Sequence, residues 1–155
     1  MKEMEKRFLD ACKLNIPMEL HLLRAHLYAE ELLTKILIDN IPRPKKLDLE
    51  RMGFRRKLQI TSAFELIPED LSNGLNQLNK LRNKLAHTFR REVYLDDVEK
   101  LMNSMGGEVK NHIEELVNSN LKQSTKDIPE EYFGNLFIAT VAFIAGQLSS
   151  IAEVE

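Results

Sequence analysis

Three side chains in the middle of the chain could act together on a phosphate group: Arg82, Asn83 and His87. Arginine carries a permanent charge and a planar fork of donors that suits a phosphate. Histidine exchanges protons near neutral pH, and Asn83, four residues before His87, could hydrogen-bond one ring nitrogen and fix its tautomer. Together these residue types indicate chemistry on a phosphodiester, in which the histidine moves protons and the arginine holds the charge.

The spacing of leucines predicts that this motif lies on an amphipathic helix. Leucines recur three or four residues apart at Leu71, Leu75, Leu78, Leu81 and Leu85. On such a helix Asn79, Asn83 and His87 share a face. Arg82 lies about 140° around the axis from His87, at roughly 100° per residue. The arginine and the histidine could converge if the helix loosens near His87, or if a second copy of the motif supplies the partner.

A purely structural interpretation of the motif also stays open. Cations near the C-terminus of a helix complement the helix dipole. Arg82 and His87 could therefore do no more than end the helix favourably. Spacing alone does not choose between capping and chemistry.

The composition predicts one helical domain. The chain has 155 residues, of which 30% are charged and 6% are aromatic, and abundant leucine is typical of a helical bundle. The net charge of −2 excludes a wholly basic surface that coats nucleic acid, although a local basic patch is allowed. Cys12 is the single cysteine, so we expect no disulfide within the chain and a reducing, cytoplasmic location. The first residues lack the apolar run of a signal peptide.

Apolar periodicity and helix-breaking residues predict an all-α bundle of six to seven helices, without a strand. The expected helices cover about residues 2–14, 16–39, 54–67, 68–87, 94–105, 108–121 and 128–152. In the third of these we expect Phe54, Leu58, Ala63 (or Ser62), Phe64 and Ile67 to face the core. We predict a single domain over residues 1–155. Its motif-bearing core spans about 16–105, and the helices in 108–153 pack on that core or at a dimer interface.

The last helix could in principle span a membrane, because residues 133–152 carry no charge over twenty positions. Against this, the run contains several polar residues and has glutamates at both ends, without the nearby Lys or Arg that usually sets topology. Ala142 and Gly146, four apart, would let another helix approach closely. We therefore expect a helix buried in the bundle or in a dimer interface, and no membrane.

Basic residues around the motif could follow a phosphate backbone. The candidates for nucleic-acid contact are Lys80, Lys84, Arg90, Arg91, Arg55 and Arg56. The alternative is that these side chains are simply solvated on helix faces. His26 and Glu30 are four apart, a spacing that could hold a metal but more often forms a surface pair. We expect neither a metal site nor another cofactor.

The motif Arg82-Asn83-Lys84-Leu85-Ala86-His87 resembles the R-x(4–6)-H motif of HEPN domains, the "higher eukaryotes and prokaryotes nucleotide-binding" superfamily. Residues 24–33, RAHLYAEELL, are similar to the long second helix of such domains. The stretch from Phe54 to Ile67 is similar to the helix that precedes the motif in the mannitol operon repressor-like branch. The resemblance covers about residues 20–89.

The resemblance implies a two-fold dimer around the motif helices and, in many members, a metal-independent endoribonuclease of toxin–antitoxin, phage-defence or RNA-processing systems. Arg82 and His87 would be the catalytic pair, with Asn83 beside the arginine, and the basic residues would bind RNA. Cleavage by the 2′-OH needs a base and an acid. A dimer brings two motif histidines, and RNA rather than DNA would be the substrate.

Two departures from the family pattern keep other functions open. Some toxins of this superfamily have a tyrosine two residues after the histidine, which a partner enzyme modifies, whereas this chain has Phe89. Any antitoxin or regulatory partner would therefore act in another way. The branch similar to mannitol repressors is regulatory. A non-catalytic transcriptional regulator or RNA- or protein-binding module, and a structural interaction domain, are the alternatives to the ribonuclease.

Overall fold

The computed structural model describes residues 16–88, 92–120 and 129–153. These ranges form six α-helices and one short 3-10 turn (Pro44–Leu47), without a strand, which confirms the predicted all-α bundle. The helices are α1 (Met18–Asn40), α2 (Phe54–Ala63), α3 (Glu69–His87), α4 (Leu95–Ser104), α5 (Gly107–Asn120) and α6 (Pro129–Glu153). The helix expected over residues 2–14 lies outside the described residues.

The two longest helices, α1 and α6, pack along each other and build the centre of the bundle. The Tyr28 hydroxyl and Ser149 Oγ are 3.3 Å apart, and Lys35 Nζ donates to the Ala152 carbonyl at 2.9 Å. Phe137 of α6 is fully buried and belongs to the same core cluster as the buried leucines of α1 and α3. Tyr132–Ala152 is long and apolar enough to cross a membrane, and half of the most apolar part of it is buried within the bundle.

The motif helix α3 begins after Pro68 and places most of its leucine stripe in the core. Leu71, Leu75, Leu78 and Leu81 are buried, and Leu85 is partly buried. Acidic Glu69 and Asp70 occupy the first turn, where they favour the positive end of the helix dipole. The periodicity therefore predicted both the helix and the face that it buries.

The expectation that Ala63 and Phe64 face the core is wrong, because both residues are exposed, Phe64 to 65%. Helix α2 ends at Ala63 in a turn that reverses the chain: Glu65 has φ of +53° and the Leu66 N–H donates to the Thr61 carbonyl at 3.0 Å. This is the pattern of a Schellman cap, with glutamate where glycine is usual. Without a glycine to mark the end, the apolar period carries over onto Phe64, although the helix has already stopped.

Gly74 of α3 lies directly against Met105, which follows α4. A Cβ atom at Gly74 would lie 2.6 Å from Met105 Cγ and 2.8 Å from Sδ. Gly146 of α6 offers a comparison, because a Cβ there would meet nothing within 4 Å. The lack of a side chain at Gly74 thus lets α3 and α4 pack closely.

We predict that Gly74→Ala lowers the free energy of unfolding measured by urea denaturation. Overpacking typically costs about 1–3 kcal/mol, which exceeds the gain in helix propensity. The matched variant Gly146→Ala should instead raise the free energy of unfolding, by up to roughly 1 kcal/mol. Equal effects at both positions would show that Met105 moves aside without cost.

Candidate functional site

The motif residues lie on the last two turns of α3. Arg82 and Asn83 are half-buried, and Arg82 Nη1 donates to Asn83 Oδ1 at 3.2 Å. His87 is the last residue of the helix and is exposed. Because α3 stays helical through His87, the helix does not loosen there, and Arg82 and His87 remain about 140° apart around its axis. One chain therefore does not aim the two side chains at the same point.

Arg82 and Asn83 line an open cleft of about 650 Å³ between α1, α2 and α3. Two exposed arginines of α2, Arg55 and Arg56, line the same cleft, and His87 does not. Other polar lining residues are His26, Glu30, Gln59 and Asn79. The cleft thus joins the predicted catalytic residues Arg82 and Asn83 to part of the predicted nucleic-acid surface.

His26 is the least expected member of this cleft. Its imidazole is buried and stacks on Phe54, with ring centroids 4.2 Å apart and an interplanar angle of 24°. Its Nε2 lies 2.9 Å from Asn79 Oδ1, in a buried hydrogen bond between residues 53 positions apart. This bond ties α1 to α3 directly beside Arg82.

The pKa of His26 is lowered below the ordinary value of 6.5, first by burial and further by the charge of Arg82. The hydrogen bond with Asn79 and the charge of Glu30 act in the opposite direction and only partly offset it. At neutral pH the ring is therefore neutral and carries a single N–H. Because Asn79 Oδ1 is an acceptor, that proton belongs on Nε2, which donates to it.

Among the described residues, Glu30 is the one carboxylate that lines the cleft, and a lysine already neutralises it. Glu30 Oε1 lies 3.2 Å from Lys57 Nζ, and the lysine side chain is only 7% exposed. His26 and Glu30 are thus each committed to another partner, and His26 is not on the surface. No group of three His, Cys, Asp or Glu residues that could hold a metal occurs within residues 16–88, 92–120 and 129–153.

The remaining basic candidates are spread over a wider area. Lys80 is exposed. Lys84 is exposed, and its Nζ lies 3.6 Å from Asp97 Oδ1 of α4, so its charge is partly paired within the protein. Arg90 and Arg91 lie outside the described residues. The structure therefore brings Arg55 and Arg56 to the motif arginine, and it leaves Lys80 and Lys84 outside the cleft lining.

The chain matches no protein-family model, no curated protein and no solved structure.

We predict that the free energy of unfolding falls as the pH is lowered below 6.5 because of His26. The unfolded chain has the ordinary histidine pKa and the folded chain a lower one, so the unfolded state binds more protons between the two values. Urea denaturation at a series of pH values should show this slope, and His26→Phe should remove it. The exposed His112, replaced by Gln, is the control and should keep the slope. A slope unchanged in His26→Phe would contradict the assignment.

Proposed function

We propose that this protein is a metal-independent endoribonuclease of the HEPN type that acts as a homodimer. The observation that carries the proposal is the position of the motif: Arg82 and Asn83 line a basic cleft, and His87 is exposed at the end of the same helix. A residue that merely caps a helix needs no cleft beside it. The combination of guanidinium, amide and imidazole suits a phosphodiester better than a carbon-centred substrate.

The proposed reaction breaks one P–O bond and needs no cofactor. The ribose 2′-oxygen attacks the adjacent phosphorus while a base removes its proton, and the 5′-oxygen leaves as it receives a proton from an acid. The products are a 2′,3′-cyclic phosphate and a 5′-hydroxyl. Arg82 stabilises the charge of the pentacoordinate phosphorane, and Asn83 holds the guanidinium through the 3.2 Å hydrogen bond. A neutral and a protonated His87 from two chains serve as base and acid.

A second copy is needed because the regular helix separates Arg82 from His87. A two-fold axis near the end of α3 would place the two motifs face to face. Leucines on α1 offer an apolar surface at this end of the bundle: Leu20, Leu23 and Leu27 are 36%, 40% and 52% exposed. The hydrogen bond from the Val93 N–H to Glu19 Oε1, 3.1 Å long, ties the start of α1 to the chain that follows α3. Apolar surface and motif therefore lie at the same end.

The other basic candidates would guide RNA toward the motif. Lys80 and Lys84 belong to the motif helix, and Arg90 and Arg91 follow it. Cationic side chains bind the phosphate backbone without reading the sequence. A role as a toxin, in phage defence or in RNA processing is consistent with such an activity, with an antitoxin or regulatory protein as the partner that restrains it.

We predict that the purified protein cleaves cellular RNA in the presence of EDTA and leaves 2′,3′-cyclic phosphate ends. His87→Ala should lower the rate by about 10²- to 10⁴-fold, the usual contribution of a proton-transfer group. Arg82→Ala should lower it by about 10²- to 10³-fold, the usual cost of removing one donor to a developing anion. His112→Ala is the matched control, because His112 is also exposed but lies on α5. Gel electrophoresis and end-group analysis are the measurements. Folded wild type that leaves RNA intact would favour the regulatory or binding module instead.

We also predict that Leu23→Lys separates the two chains and abolishes cleavage, because a charge at the centre of the leucine surface opposes its burial in the dimer. Ile38→Lys provides the control: Ile38 is 50% exposed but lies near the other end of α1. Analytical ultracentrifugation should give the mass of one chain for Leu23→Lys and of two chains for Ile38→Lys. A dimeric Leu23→Lys variant would place the interface elsewhere.

A further inference from the structure

The amides of the cleft present donors rather than acceptors to its interior. The Oδ1 atom of Asn79 accepts from the His26 ring, and the Oδ1 atom of Asn83 accepts from Arg82. Each amide therefore has its oxygen engaged inside the protein and keeps its NH₂ group, with two N–H donors, for another partner. Two amides whose oxygens are engaged, next to arginines, favour an anion.

The charges of the cleft also favour an anion. Arg55, Arg56 and Arg82 each contribute a positive charge to its lining. The negative charge of Glu30 is compensated by Lys57, which is buried behind it. The cleft thus carries an excess of positive charge, and guanidinium groups bind phosphate oxygens in pairs of parallel hydrogen bonds.

The aromatic rings of the cleft do not offer a place for a nucleobase. His26 and Phe54 stack on each other, and each is only 5% exposed. Bases bound by stacking need an open ring face, which this buried pair does not provide. The volume of about 650 Å³ is within the usual size of small-molecule sites, so the cleft has room for a phosphate and its sugars.

We propose that each chain binds a non-scissile phosphodiester of single-stranded RNA in this cleft, through the NH₂ groups of Asn79 and Asn83 and the guanidinium groups of Arg55 and Arg56, while Arg82 serves the scissile phosphate. The identity of the ligand as RNA rests on the proposed ribonuclease function. The bound phosphate is not the one that is cleaved, since His87 of the same chain does not reach the cleft lining. It anchors the strand while a neighbouring phosphate meets the histidines.

In this arrangement His26 is a positioning residue. Its hydrogen bond fixes the amide of Asn79 so that the NH₂ group, rather than the oxygen, faces the anion. The contact is to phosphate and not to a base edge, so the cleft adds affinity without sequence preference. Binding energy from such a remote group can be used to orient the reacting one.

The test uses a fluorescent oligoribonucleotide with 2′-O-methyl groups at every ribose, which binds but cannot be cleaved, with fluorescence anisotropy in EDTA as the readout. Asn79→Asp is the sharpest variant, because aspartate keeps the oxygen that accepts from His26 and replaces the NH₂ donors by a negative charge. We expect it to weaken binding at least about tenfold, and Arg55→Ala with Arg56→Ala to weaken it by about tenfold for each arginine. Arg51→Ala is the control and should bind as wild type does, because Arg51 is a highly exposed arginine outside the cleft lining.

A second readout tests whether the aspartate in Asn79→Asp still contacts the His26 ring. Nuclear magnetic resonance titration of His26 should give a higher pKa in Asn79→Asp than in wild type, because a carboxylate next to the ring favours its charged form. If that shift occurs and the variant still binds the oligonucleotide as tightly as wild type, the phosphate cleft is overturned. A wild-type protein that does not bind the oligonucleotide would overturn it as well.

The cleft and the ribonuclease can fail separately. Cleavage of RNA by wild type, with an unchanged KM in Asn79→Asp, would support the ribonuclease and overturn the anchoring phosphate. Binding of the 2′-O-methyl strand that depends on Asn79 and the two arginines, without any cleavage of ordinary RNA, would support the cleft and overturn the ribonuclease.

Discussion

The buried hydrogen bond between His26 and Asn79 is the contact on which the candidate site depends. It joins two helices that are far apart in the chain and fixes how α1 sits along α3, directly beside Arg82. A buried polar group that loses its partner typically costs about 1–3 kcal/mol, so other registers of the two helices are disfavoured. Phe54, stacked on the same ring, brings α2 and its two arginines to the position that this bond defines.

The same contact limits the positive charge at the centre of the cleft. A protonated imidazole beside three arginines would add repulsion at the centre of the cleft, and burial avoids this because it keeps the ring neutral. Lys57 and Glu30 form a pair at the edge, so neither leaves an isolated buried charge. The positive charge is thus concentrated on the exposed Arg55 and Arg56 and on the half-buried Arg82.

The sequence predicts the parts of this structure that depend on local spacing. The leucine period of α3, the prolines before α1 and α3, and the adjacency of Arg82 and Asn83 are all readable within one or two helical turns. The predicted end of α2 near residue 67 is wrong, because the helix ends at Ala63 and a glutamate, not a glycine, takes the left-handed position that follows. The spacing of His26 and Glu30 favours a surface pair over a metal site, whereas His26 is buried against Asn79, 53 residues away. No pattern within one helix reveals a partner at that distance. Asn79 shares the predicted helix face with Asn83 and His87, and this is the sequence signal that could have placed it at the site.

The regularity of α3 links the fold to the number of chains in the active unit. A helix that is straight through its last residue presents Arg82 to the cleft and His87 to solvent, and no side-chain rotation removes about 140° of separation around the axis. If His87 only caps the helix, no second chain is needed. That interpretation does not explain why Arg82, about one and a half turns earlier, is hydrogen-bonded to Asn83 and lines a basic cleft. If Arg82 and His87 act on one nucleic-acid strand, that strand must pass from the cleft around the end of the helix. Otherwise a second chain must bring its own histidine to that end. The exposed leucines of α1 favour the second chain, because they provide apolar surface where such a partner would sit.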